Sequence, residues 1–216
     1  MHTDTFSIKK IVSEFTSQTF GAENPEGLSF STCFPISILL DLNQIENSIS
    51  CGNAPRNNSI VNHFWLTIDH EGTILDPTIQ QFDPTMESIY VEKINENEVT
   101  RKYVPIASTY QDWFMSAYNI CAEPLINKQP RTFRKDPAFE RKMNLINIKT
   151  ATVLYAYISK MESINQTMAS IKCTQYFSPI FTFLKNKSET DSNFIVNLKN
   201  EMPQDFTLLL SRALSN

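Results

Sequence analysis

Apolar residues recur along this chain with two different periods, and the changes between them mark its parts. Phe6, Ile8, Ile11, Val12, Phe15 and Phe20 recur at helical spacing and predict an amphipathic helix over residues 5–20. Residues 21–27 hold two glycines and Pro25 and predict a loop. Ser31-Thr32 then offers an N-cap for a helix from about Cys33 to Gln44, with Pro35 in the first turn, where its missing N–H costs little. Phe34, Ile36, Ile38, Leu39, Leu40 and Leu42 make that helix apolar enough to be central. Residues 47–58, NSISCGNAPRNN, are polar and turn-rich and predict a surface loop that leaves Cys51 partly exposed.

A period of two follows. His63, Trp65 and Thr67 alternate with Phe64, Leu66 and Ile68, residues 69–72 make a turn, and residues 73–76 return as the second arm of a hairpin. Residues 88–93 and 99–104 predict two more strands. The helical period returns at Tyr110, Trp113, Phe114, Ala117, Tyr118 and Cys121, and residues 124–130 resemble a linker. Asp136-Pro137 is a helix start, and further helical runs cover about 148–171, 176–185, 191–200 and 204–214. The pattern predicts an α+β core over residues 1–122 and a helical C-terminal extension or subdomain over 123–216.

Composition narrows the function classes. The chain has 216 residues, 41% of them hydrophobic, enough for a sizeable core. A net charge of −4 argues against a nucleic-acid binder. The basic run from Arg131 to Lys142 is expected to be a solvated helix face. No apolar stretch approaches the roughly 20 residues that a membrane helix needs, so no membrane partner is expected. Cys33, Cys51, Cys121 and Cys173 are scattered without a CxxC pair, which disfavours a zinc ribbon and a disulfide framework. With only three histidines, no metal site and no cofactor are expected. A reduced, cytoplasmic location fits, and a secreted effector would have the same composition. Oligomeric state is not readable.

The low histidine count also focuses the chemistry. His2 is terminal and His70 sits in a turn, so His63, in a strand beside Trp65, is the candidate base. A two- or four-residue turn sets Ile68 opposite Thr73 and Trp65 opposite Asp76. Asp76 then shares the face of His63, one diagonal step away and within side-chain reach. A three-residue turn would flip Asp76 to the other face. Asp83, in the echoing Asp83-Pro84-Thr85, is the fallback acid. Cys33 at the positive end of its helix would be favoured as a thiolate. Cys33, His63 and Asp76 thus supply a nucleophile, its base and the group that orients the base. The plainer alternatives are a small buried cysteine and a satisfied strand histidine. Trp65 could wall the acyl site, and the Cys33 backbone N–H and the Gln18 amide are candidate oxyanion donors.

A cysteine at a helix start, then His63-Phe64-Trp65-Leu66-Thr67-Ile68, then Ile74-Leu75-Asp76-Pro77-Thr78 resembles the transglutaminase-like branch of the papain-like cysteine fold. The likeness covers roughly residues 28–90. It implies a cysteine-bearing helix packed on an antiparallel sheet, with the roles of Cys33, His63 and Asp76 as above. It also implies thiol chemistry on a peptide or protein amide. Peptidase is preferred. A protein-glutamine deamidase, a transglutaminase, an acyltransferase on small molecules and a non-catalytic binding module on the same fold are the alternatives.

Overall fold

A computed structural model describes residues 5–19, 29–56, 59–68, 72–105, 137–162, 167–202 and 204–215. Contacts divide the chain into two units, residues 1–117 and 118–216. The division expected between 122 and 123, the helix expected over 108–121, the linker and the Asp136 cap all lie outside the described residues.

In the first unit α1 spans Thr5–Thr19 and buries Ile8, Val12 and Phe15 of the predicted stripe, while Ile11 is half-buried and Phe6 is exposed. The second helix, α2, runs Ser29–Leu42 and therefore starts before the expected cap at Ser31-Thr32. Cys33 and Pro35 both fall inside it. Helix start signals are weak priors, and here burial overrides them: Phe30 already packs its ring against Phe64 at 5.3 Å, tying the first turn to the sheet. Pro35 leaves the Ser31 carbonyl without its helical donor. Nearly every residue of α2 is buried, so the helix has no solvent face. It ends with Gln44 at φ 60. Gln44 N–H donates to the Asp41 carbonyl and Ile45 N–H to the Leu40 carbonyl, a Schellman closure on a residue that is not glycine.

The expected loop at 47–58 is instead a strand. β1 (Ser48–Arg56) pairs antiparallel with β2 (Ser59–Thr67) along its whole length, from Ser48 opposite Thr67 to Arg56 opposite Ser59. Polar composition did not prevent pairing, because β2 pairs with the β1 backbone along its whole length and a second strand pairs with it at Gly52 and Asn53. Cys51 is consequently buried rather than partly exposed. β3 (Thr73–Asp76) pairs with β2, and β4 (Tyr90–Lys93) pairs with β3. The strand expected over 99–104 shrinks to β5 (Val104–Pro105), which pairs with β1. Ahead of it Thr100–Lys102 forms a 3-10 turn. Side chains draw the backbone away from the sheet there: Asn97 Oδ1 accepts the Val99 N–H and the Thr100 hydroxyl donates to the Ile94 carbonyl.

The result is an α+β unit with one antiparallel sheet in the order β4-β3-β2-β1-β5. Helix α2 packs on β2 and β1, where Phe64 meets Phe30. On the alternate positions Trp65 joins Ala54, Ile74, Ile79, Tyr90 and Tyr103 in a separate buried cluster.

The second unit is helical where it is described. It contains α3 (Pro137–Ser159), α4 (Thr167–Thr190), α5 (Ser192–Glu201) and α6 (Phe206–Ser215). The single run expected over 148–171 is thus split between α3 and α4, and the run expected over 176–185 lies inside α4. Asp191 caps α5 by accepting the Phe194 N–H. A cavity of about 570 Å³ lies in this unit beside Tyr155, Phe177, Phe181 and Arg212. Among the described residues no helix is long and apolar enough to cross a membrane.

Candidate active site

Strand register builds the centre of the site. Leu66 faces Leu75, Thr67 faces Ile74, and the Ile68 N–H donates to the Thr73 carbonyl. This is the alignment that the shorter or longer even turn predicts, and it puts Asp76 on the His63 face. His63 Nε2 lies 2.7 Å from Asp76 Oδ2.

The carboxylate is held by more than the imidazole. Asp76 Oδ1 accepts the Thr78 N–H at 2.8 Å and the Thr78 hydroxyl at 3.1 Å. Oδ2 also accepts the Tyr103 hydroxyl at 2.6 Å. Pro77 sits between the two partners, which is why the Asp-Pro-Thr sequence closes this local turn. Burial pushes the Asp76 carboxyl up. Attraction to a charged His63 ring and hydrogen bonds from His63, Tyr103 and Thr78 outweigh that, and the group titrates below its ordinary range. Tyr103 is pushed the other way by burial, by the Asp76 charge and by donating to it, so it stays a neutral donor. Asp83 makes the same turn with Thr85, but its hydrogen bonds there are exposed and among the described residues no imidazole is paired with it.

His63 is enclosed by rings. Phe82 and Tyr103 meet it edge-on at 4.7 and 5.1 Å, and Trp65 lies 6.0 Å away in a stacked arrangement. Its second nitrogen, Nδ1, lies 3.1 Å from the Gln81 amide nitrogen. When the ring is neutral and Nε2–H is aimed at the carboxylate, Nδ1 carries the lone pair and accepts from Gln81. Trp65 is buried in the cluster against Tyr103, at 5.0 Å. It backs the imidazole and does not wall an open pocket. Across the sheet Gly52 pairs with His63 on one side and Pro105 on the other. A side chain at 52 would collide with the Val104 carbonyl and the Trp65 ring.

Cys33 does not match its expected setting. It lies one turn inside α2, so its N–H is committed to the helix and is not a spare oxyanion donor. Its Sγ donates to the Phe64 carbonyl at 3.4 Å, and among the described residues it makes no hydrogen bond to His63. Burial, and then the Asp76 charge, push the thiol well above its ordinary range. His63, Asp76 and Cys33 are 1%, 0% and 0% exposed. Cys51 is pushed up to about 11 by burial. Gln18 is exposed on α1, away from these contacts. The glutamine that meets the imidazole is Gln81.

The structure therefore brings together His63, Asp76 and Trp65, sets Cys33 on the backbone beside them and leaves Gln18 out. Sequence reasoning missed Tyr103, Thr78 and Gln81. Thr78 was legible in the Asp-Pro-Thr turn. Tyr103 was not, because β5 brings it in from a distant part of the chain. Among the described residues no cluster of histidine, cysteine and acidic side chains could hold a metal ion. No protein-family model, no curated protein and no solved structure matches the chain.

Proposed function

We propose that this protein is a cysteine-dependent hydrolase or acyltransferase acting on an amide of a peptide or protein. Cys33 is the nucleophile, His63 the base and Asp76 the orienter, on a papain-like or transglutaminase-like core. The observation that carries the reading is the 2.7 Å His63–Asp76 contact, buried and aimed so that Nδ1 keeps its lone pair. A carboxylate fixed by Tyr103 and Thr78 is more than a strand histidine needs for packing. It suits an imidazole that must hold one tautomer and tolerate a transient charge.

The chemistry follows from that tautomer. The Cys33 S–H proton passes to Nδ1, and the thiolate sulfur attacks the amide carbon. The C–N bond breaks, Nδ1–H returns the proton to the leaving nitrogen, and a thioester remains on Cys33. Water then attacks the thioester, gives its proton to Nδ1, and releases a carboxylic acid and the thiol. A backbone amide makes this a peptidase, the preferred form. A glutamine side chain makes it a deamidase, and an amine in place of water makes it a transglutaminase. A reducing, cytoplasmic compartment would keep the thiol competent.

A second reading, a binding module with an inert thiol, is favoured by the Cys33 hydrogen bond to Phe64 and by its raised titration. Iodoacetamide labelling of the folded protein, read by peptide mass spectrometry, separates the two. Under the enzyme reading Cys33 labels faster than Cys51 and Cys173, loses that lead in His63→Ala, and Cys33→Ser abolishes cleavage of a peptide library. Equal, slow labelling in wild type and His63→Ala, with no turnover that depends on Cys33, would leave the binding module.

A further inference from the structure

The cavity of about 570 Å³ in the helical unit falls within the size range of small-molecule sites. One ridge of α4 lines it, where Cys173, Phe177, Phe181 and Lys185 recur every four residues. Tyr155 of α3 and Arg212 of α6 line it as well. Tyr155 meets Phe177 and Phe181 edge-on at 5.6 and 6.1 Å, and Phe177 lies 5.7 Å from Phe181 with the two rings nearly parallel. The rings hold one another, so the apolar wall is built before any ligand arrives. Tyr155 and Phe181 are nonetheless only half-buried. Charge is sorted too. The whole chain carries 23 acidic against 19 basic residues, yet Lys185 and Arg212 line this cavity and, among the described residues, no acidic side chain does.

We propose that this cavity binds a medium-chain fatty carboxylate, with its chain laid along Phe177 and Phe181 and its carboxylate at Lys185. The ridge from Cys173 to Lys185 extends about 18 Å along the helix axis. An extended chain matches a ridge of that length, whereas a compact ring leaves part of it uncovered. Helical side chains lean toward the N-terminus, so Lys185 leans toward Phe181. Its methylenes can cover apolar surface while the ammonium stays where a carboxylate meets it. Arg212 adds a second positive charge but makes other contacts besides, so Lys185 is the main partner for the anion. Burial of the chain supplies affinity, and the cations select the end group, since a fatty amine of the same length would set like charges together. The site uses none of Cys33, His63 and Asp76, so it is independent of the amide chemistry.

Equilibrium dialysis of the full chain against ¹⁴C-decanoate, below its micelle-forming concentration, measures the binding directly. One decanoate per chain should bind at saturation. Lys185→Gln should weaken binding by about 3- to 10-fold, the loss expected for one charged hydrogen bond that solvent partly screens. Ser178 is exposed and lines the same cavity, so Ser178→Trp should fill the space and block binding while circular dichroism shows the helices intact. Unlabelled decylammonium and naphthalene-2-carboxylate should both compete less well than unlabelled decanoate. These competitions use wild type and need no variant to fold. Absence of saturable decanoate binding overturns the proposal. Binding that both variants leave unchanged also overturns it, because decanoate then sits elsewhere. Decylammonium competing as well as decanoate would mean that charge is not read. Naphthalene-2-carboxylate competing better would mean that the site takes a compact aromatic anion, and the fatty carboxylate would fall.

Discussion

At the scale of single residues, Asp76 accepts four hydrogen bonds from three side chains and one backbone N–H while fully buried. Removing it leaves His63 and Tyr103 without the acceptor they share. Breaking a buried pair in this way costs about 3–5 kcal/mol, so Asp76→Ala should lose that much in urea unfolding. The pH dependence has a fixed sign. The folded carboxyl titrates below its ordinary value of about 3.9, so its stabilisation is fully present above that pH and is lost as pH falls through the lower folded value. Wild type should therefore weaken below about pH 4, and Asp76→Ala should show a shallower acid limb in the same titration. The pair itself was legible because a period of two fixes which residues share a face and an even turn fixes the register. The state of Cys33 was not. Its chemistry depends on how far inside α2 it lies and on what buries it, and neither is local to the Ser-Thr-Cys sequence.

At the scale of elements, the first and last turns of α2 show how packing overrides local preference. Apolar periodicity identified the helix, while Ser31 and Pro35 misplaced its start, because Phe30 packs on Phe64 and ties an earlier first turn to the sheet. Its end carries a local cost, since Gln44 adopts φ 60 with a side chain attached. Gln44→Gly should raise stability by about 0.5–1 kcal/mol in denaturant unfolding, the residual gain after glycine's extra freedom in the unfolded chain. β1 was hidden for a related reason. Its residues carry little apolar signal, and the strand exists because β2 pairs with its whole length, with β5 added at Gly52 and Asn53.

At the scale of the molecule, the chain separates into a sheet-bearing unit and a helical unit, each with its own buried residues. The helical character of the second was readable from its 3.6-residue period, and the break between α3 and α4 was not, since apolar residues continue through it. Leu40 is wholly buried in α2. Leu40→Ala should cost about 2–5 kcal/mol. In hydrogen exchange the lost protection should fall on residues 29–105, with α3–α6 keeping theirs, as expected when cooperative units open separately. Protection lost equally across both would instead mean that the two halves unfold as one.

Gly52 carries no chemistry, yet it governs spacing at the site. The two-residue strand β5 can lie against β1 only where position 52 has no side chain, and the residue just before β5 is Tyr103. Filling that space should cost about 1–3 kcal/mol by overpacking, measurable for Gly52→Ala in thermal unfolding. It should also pull the phenol off Asp76 and loosen the imidazole from a distance. Position 52 works as a shim, a missing methyl whose thickness sets the fit of parts it never touches. A survey that looked only for acids, bases and nucleophiles would pass over it, though a single added carbon there should disable the site as surely as the loss of one of them.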